Sequence, residues 1–456
     1  MIQDLQRASA TTVRESIGAK RIVFIGASYK FVHRVVRDMI IVGGFQDSRI
    51  VLLDIDPVPL KLIGDLVERI ARVQKTNIVV ERTADREQAL KGADCVVLSI
   101  TVGGIESDFR SFEVCNKWGI EVGVGDTLGP AALARNLRTL PLVVTIMEDM
   151  ERLCPDAIFL NFTNPMSCVT GVAARRRSLP TYGLCHSADE LMNFFSRLFG
   201  ATLADVDMEV AGVNHQSFVT KLVIKGVDRT AEIGAKAMHS DEKLHDELIG
   251  VSHDIAYQRE MFAMLGVWPS TGADHLAEFY PFFFIPERIT EPSLHARKRL
   301  IPGRAPFGRS EAPQILKDWA YGDAGPGDLD RMTEEHAHEL MWSYFTGEPY
   351  TRSLNMLNDG AIAGLPDDAC VEVMAEVVGR KVTARSTVLP TAALSWVQRW
   401  AAIHDLTIAA ALNCDRDAAR QALMLDPHVR DMRVITPLLE DFLGALKQWM
   451  PKGWYK

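Results

Sequence analysis

Residues 21–44 read RIVFIGASYKFVHRVVRDMIIVGG, and this stretch decides the fold. The β-branched apolar run Arg21–Ile25 has the length of a buried strand and ends on a small-residue turn, Gly26-Ala27-Ser28. After the turn, Phe31, Val35, Val36, Met39 and Ile40 recur at helical spacing until the pair Gly43-Gly44 stops the helix. The same unit repeats downstream. RIVLLDIDP (49–57) predicts a second strand ending in acids, and LKLIGDLVERIARVQK (60–75) a second amphipathic helix. Apolar alternation returns at Asn77–Val80, and GADCVVLSITVGG (92–104) predicts a buried strand opening onto glycines. A helix over Ala131–Arg152 then leads into AIFLNFTNP (157–165), a strand ending in polar residues. Strands alternating with helices from about residue 20 to 165 predict an α/β, Rossmann-like doubly wound parallel sheet. Ligands of such sheets lie beyond the carboxyl ends of the strands, where Gly26, Asp54, Ser99–Gly104 and Asn161–Asn164 fall.

Beyond Leu184 the pattern changes to longer helices with a short strand pair near Val206–Ile224. This divides the chain into a dinucleotide-binding half, 1–180, and a mainly helical α+β half, 181–456. Thr290–Pro326, rich in Pro, Gly and Arg, reads as a loop excursion that serves as a lid or a subunit contact. Fifty Lys and Arg against 59 Asp and Glu give a formal charge of −9, which excludes a nucleic-acid or anionic-membrane partner and favours a small substrate. The longest apolar runs, Ile22–Ile25 and Cys95–Ile100, are too short to cross a bilayer, and the N-terminus has no secretory pattern. A cytoplasmic protein is expected. Seven cysteines without framework spacing point to reduced thiols, so a functional one would be a ligand or a nucleophile.

Four constellations carry chemistry. Glycine at position 26 permits a tight turn and close approach of a pyrophosphate to a helix N-terminus, while Asp54 can hold ribose hydroxyls. The full Gly-x-Gly-x-x-Gly spacing is absent, and a short glycine turn also occurs in α/β proteins of other function. Asn161-Phe-Thr-Asn164-Pro165 offers amide donors and acceptors suited to sugar hydroxyls, although Asn-Pro also caps ordinary turns. Cys185 in GLCHS and His215 in GVNHQ, about thirty residues apart, can form a two-residue metal site left open for substrate oxygens; either residue alone is more often a packed core residue. Finally, GADHLAEFYP (272–281) gathers Asp274, His275, Glu278 and Tyr280, and helical spacing brings the first three together for proton transfer.

Taken in order, these motifs resemble glycoside hydrolase family 4, the NAD- and metal-dependent glycosidases, and most closely its α-galactosidase branch. The likeness is carried by IVLLDIDP (50–57), FEVCNKWGIEVGVGDTLGPAALARNLRTLP (112–141), NFTNP (161–165), YGLCHS (182–187), GVNHQSF (212–218) and DHLAEFYPFF (274–283). It continues through NDGAIAGLPDDACVEV (358–373) and LMLDPHV (423–429), so it spans nearly the whole chain in fixed order. The resemblance implies a lactate/malate dehydrogenase-like fold and a reaction in which NAD⁺ transiently oxidises C3 of the sugar, a base removes the acidified C2 proton, and the glycosidic oxygen is eliminated. It implies NAD and a divalent metal, Mn²⁺ by the family's habit, as cofactors. It assigns Cys185 and His215 to the metal, Asp126, Asn164 and Asn214 to the substrate, and Gly26, Ala27, Ser28, Asp54 and Thr101 to the dinucleotide. His186 stands where some relatives place an acid that assists the leaving group, a role open to an imidazolium. A homodimer or homotetramer is implied as well.

Two departures stand out. The second glycine of the usual Gly-Ala-Gly-Ser turn is missing, and Phe279 occupies the position of the family's tyrosine base. Tyr280, Asp274 and His275 are the candidate replacements. Arg110, Arg135 and Arg352 are available for an anionic substituent of the sugar. Two other readings remain open: a lactate/malate-type dehydrogenase with net NADH production, and a non-catalytic sugar or dinucleotide sensor, which the loss of tyrosine at Phe279 favours.

Overall fold

A computed structural model of the chain describes residues 14–120, 122, 124–237, 256–283, 312–330, 332–333 and 335–456. Six strands, β1 (Arg21–Ile25), β2 (Arg49–Leu53), β3 (Val79–Thr83), β4 (Cys95–Leu98), β5 (Ile158–Asn161) and β6 (Thr181–Gly183), pair in parallel in the order 3-2-1-4-5-6. This is the doubly wound arrangement, and its strands show why it forms. Val23, Ile25, Val51, Leu53, Val96 and Leu98 enter one buried cluster, whereas Ile22, Phe24, Ile50, Leu52, Cys95 and Val97 enter another on the opposite face. A strand with apolar side chains on both faces is stable only with helices on both sides.

The helices supply that cover. Val32–Val42 buries Val32, Val35, Val36 and Met39, the stripe expected from its spacing. Pro57–Val73 starts with Asp56 accepting from the Val58 amide at 2.9 Å, has Pro57 in its first turn, and buries Leu62, Ile63, Leu66, Val67 and Ile70. On the other face the 25-residue helix Gly129–Leu153 buries Leu133, Leu137, Leu140 and Ile146.

The sheet does not stop at β6. Strands β7 (Val206–Val213) and β8 (Gln216–Ile224) form the expected antiparallel hairpin, with β9 (Val227–Asp228) and β10 (Trp268–Pro269) on β8. Between this hairpin and β6 lie β11 (Tyr350–Leu357) and β12 (Cys370–Val378), with β13 (Lys381–Ala384) on β12. The boundary drawn near residue 180 falls just before β6, and one continuous sheet runs across it. Of the excursion 290–326, residues 290–311 lie outside the described residues; Gln314–Tyr321 is a helix rather than loop, burying Leu316 and Ala320. Among the described residues no helix is long and apolar enough to cross a membrane.

Candidate active site

Most of the predicted residues occupy the carboxyl ends of the parallel strands and the tip of the β7–β8 hairpin, while Asp126 precedes the helix Gly129–Leu153 and Asp274, His275 and Tyr280 lie on or directly after the helix Ala273–Phe279. Gly26 follows β1 with φ +98°, and a Cβ there would lie 2.0 Å from the Ser99 carbonyl oxygen after β4. Only glycine fits. The Ala27 amide donates to Asp54 Oδ2 at 2.7 Å, and the Asp56 amide donates to Asp54 Oδ1 at 2.9 Å. Asp54 thus ties the turn after β1 to the end of β2. Ser28 is half-buried beside this turn, and Thr101 is exposed in the loop after β4.

NFTNP divides into a structural and an open asparagine. Asn161 is satisfied: its Oδ1 accepts from the Thr163 amide at 2.8 Å, and its Nδ2 donates to the Thr163 carbonyl at 3.0 Å and to Thr170 Oγ1 at 3.1 Å. Asn164, preceding a cis Pro165, donates from Nδ2 to Asp126 Oδ2 at 3.1 Å, while its buried Oδ1 has no partner. Burial alone would raise the Asp126 carboxyl. The charges of His275 and Arg135, with hydrogen bonds from Asn164 and Thr127, outweigh that and hold it below its ordinary value.

The hairpin tip is a two-residue turn, Asn214-His215, between Val213 and Gln216, with His215 at φ +64°. Three links fix it. The Asn214 amide donates to Ser167 Oγ at 3.2 Å, the Thr271 hydroxyl donates to the His215 carbonyl at 3.0 Å, and Gly212 passes so close to the Gln216 carbonyl that a Cβ would sit 2.0 Å away. The buried His215 ring lies 4.1 Å from that of His275, centroid to centroid, and its Nδ1 is 3.2 Å from Thr127 Oγ1. Burial first, then the nearby His275 and His186, keep the imidazole well below its ordinary range and therefore neutral, as ligation requires.

Cys185 follows β6, half-buried, with Sγ 3.2 Å from Ser187 Oγ. Burial pushes its thiol up, and Glu372 adds to the effect. The Asn214 side chain lies buried against Cys185 and Glu372. Glu372 itself is completely buried on β12, accepts from Ser217 Oγ at 2.8 Å, and is pushed up to about 7, chiefly by burial. All seven cysteines are free.

Asp274 and His275 lie on the helix Ala273–Phe279; the Asp274 side chain is outside the described residues. His275 Nδ1 stands 3.5 Å from Oε2 of the buried Glu278, whose Oε1 accepts from the Gly125 amide. Burial raises the Glu278 carboxyl. Tyr280 is fully buried, accepts from Gln216 Nε2 at 3.0 Å and packs on Trp396, with burial raising its hydroxyl. Phe279 packs edge-on against Trp400. His186 is exposed, 3.6 Å from Glu190. The three arginines each have an acid: Arg110 pairs with Glu106, Arg135 with Asp108 and Arg352 with Asp189.

One thiol and one neutral imidazole, with the unpartnered Asn164 Oδ1 nearby, suit a divalent cation that keeps positions open for oxygen ligands. Among the described residues no three His, Cys, Asp or Glu converge as a metal-ligand group. Thr127 and Glu372 belong to this neighbourhood and escaped the sequence reading. Glu372 had a signal, an acid inside the apolar run Cys370–Val373; Thr127 had none beyond its position next to Asp126.

The model of the family 4 glycosyl hydrolases matches residues 21–200, and that of their C-terminal domain matches 210–429. An α-galactosidase of Bacillus subtilis is 29% identical over 452 residues, covering 95% of this chain and 99% of the other. An α-galacturonidase of Thermoanaerobacterium saccharolyticum is 28% identical over 396 residues, covering 81% and 82%. Among solved structures, the 6-phospho-β-glucosidase of Thermotoga maritima, determined with manganese, NAD⁺ and glucose-6-phosphate, shares the fold at TM-score 0.75 and 23% identity, covering 94% and 99%.

Proposed function

Because the chain belongs to the family 4 glycosyl hydrolases, we propose that it cleaves an α-galactoside, or a related hexoside or hexuronide, by transient oxidation of the sugar. The observation that carries this reading is the buried, unpartnered Asn164 Oδ1, with Asn214 beside a thiol and a neutral imidazole at the mouth of a doubly wound sheet. Unpaired buried polar atoms are costly and call for a ligand.

NAD⁺, when bound, takes and later returns the hydride of C3, and a divalent cation, when bound, polarises the neighbouring sugar oxygens. Cys185 and His215 would hold the cation, and its binding would draw the proton off the Cys185 thiol. Gly26, Ala27, Ser28, Asp54 and Thr101 line the dinucleotide. Asn164 and Asn214 orient the sugar hydroxyls, with Asp126 fixing Asn164 in place. His186, which is exposed, serves the leaving oxygen. Removal of the C2 proton falls to the segment Asp274–Tyr280. Within it His275 is favoured by its contact with His215 and its partner Glu278, whereas the Tyr280 hydroxyl is engaged by Gln216. The free cysteines support a cytoplasmic setting, and a homodimer or homotetramer remains our reading of the assembly.

Hydrolysis of an aryl α-galactoside with NAD⁺ and Mn²⁺, each omitted in turn, tests the proposal. Activity lost on either omission, with no net growth of NADH absorbance, is the expected result. Undiminished turnover without NAD⁺ would overturn it, and accumulating NADH would mark a dehydrogenase.

A further inference from the structure

Thr127 stands between an acid and a histidine. Its Oγ1 lies 3.0 Å from Asp126 Oδ1 and 3.2 Å from His215 Nδ1, and with Thr127 only 4% and His215 8% exposed, water has little access to either contact. A hydroxyl has one proton to give. An ionised carboxylate can only accept, so the proton goes to Asp126 and the remaining lone pairs of Oγ1 face the ring nitrogen. Two lone pairs cannot face each other at that distance without repulsion, so Nδ1 must carry the hydrogen. In a neutral imidazole the other nitrogen, Nε2, then holds the free lone pair.

We propose that Thr127 is a positioning residue for the metal centre: anchored on Asp126, it accepts the Nδ1 hydrogen of His215 and leaves Nε2 free to bind the cation. The tautomer is thus set by the protein before any metal arrives. The same Asp126 takes the Asn164 amide on its other oxygen, so one carboxylate aligns an amide for the sugar and, through Thr127, an imidazole for the cation. The metal part rests on the reading of His215 as a ligand; the tautomer part does not.

The test uses the full chain without metal, its histidines isotopically labelled, with NMR reporting which His215 nitrogen bears hydrogen and a His215→Gln variant assigning the signals. The wild type and Thr127→Ser should show Nδ1–H. Thr127→Val should shift toward Nε2–H and bind Mn²⁺ alone at least about tenfold more weakly by calorimetry, with Thr127→Ser restoring affinity. An Nε2–H signal in the wild type overturns the inference even if the valine variant fails to fold, and so does an unchanged tautomer in a folded Thr127→Val. A tautomer that moves while Mn²⁺ affinity does not would overturn the role of Thr127 at the metal centre, whereas full Mn²⁺ binding by His215→Ala would overturn the ligand assignment of His215.

Discussion

Cys185 and His215 come from turns thirty residues apart, and each is useless as a ligand unless the other is held opposite it. Hydrogen bonds to Ser167 and Thr271 hold the turn that carries His215, while Cys185 is set by the end of β6. Cys185→Ser and His215→Ala should each weaken Mn²⁺ binding by more than the roughly 10–100-fold that loss of a supporting hydrogen bond to a ligand costs. Circular dichroism should show an unchanged fold, and calorimetry reads the affinity; full Mn²⁺ binding in either variant would remove that residue from the site. Gly26 is constrained by backbone rather than by chemistry. Gly26→Ala combines a left-handed φ with a collision against the Ser99 carbonyl, and should cost more than about 2 kcal/mol in urea unfolding and weaken NAD⁺ binding. An unchanged midpoint would show that the turn is not held as described. These residues were legible in the sequence because a turn glycine, a cysteine and a histidine each leave a mark in short motifs. Thr127 left none: its role depends on which two side chains it stands between.

The elements show a similar division. Parallel strands covered by helices on both faces must be short, continuous apolar runs, and β1, β2, β4 and β5 were readable for that reason. By contrast β11 and β12 carry Arg352, Asn355 and Glu372 within the sheet. Those polar residues break the apolar pattern, and the burial of Asn355 and Glu372 becomes intelligible only once Asn355 and Ser217 are seen donating to Glu372. The helix Val32–Val42 carries its own pH sensitivity, away from the hairpin tip. His33 is buried there with Nδ1 unpartnered, and burial, helped by Arg34 and Arg37, lowers it to about 3 from 6.5. Between these values the unfolded chain binds the proton and the folded one does not, so stability falls as pH drops from about 6.5 toward 3. The loss is at most about 5 kcal/mol, and His33→Gln should flatten the dependence of unfolding free energy on pH across that window. An identical slope in the variant would mean that His33 titrates normally.

For the whole molecule, the organising feature is one sheet that joins a parallel half to an antiparallel extension, bringing the ends of β1, β2, β4 and β5 to the same side as the turns of Cys185 and His215, the proposed metal ligands. Family membership explains why a dehydrogenase-like sheet carries a hydrolase site: an oxidant has a place in bond cleavage only if the hydride is returned. The central claim is therefore chemical, that the C2 hydrogen leaves the sugar during each turnover. Hydrolysis in heavy water, with the released sugar analysed by proton NMR, tests it most directly. The account predicts deuterium at C2 of the product and none at C3, since the C3 hydride returns from the cofactor. A product that keeps its original hydrogen at C2 would contradict it.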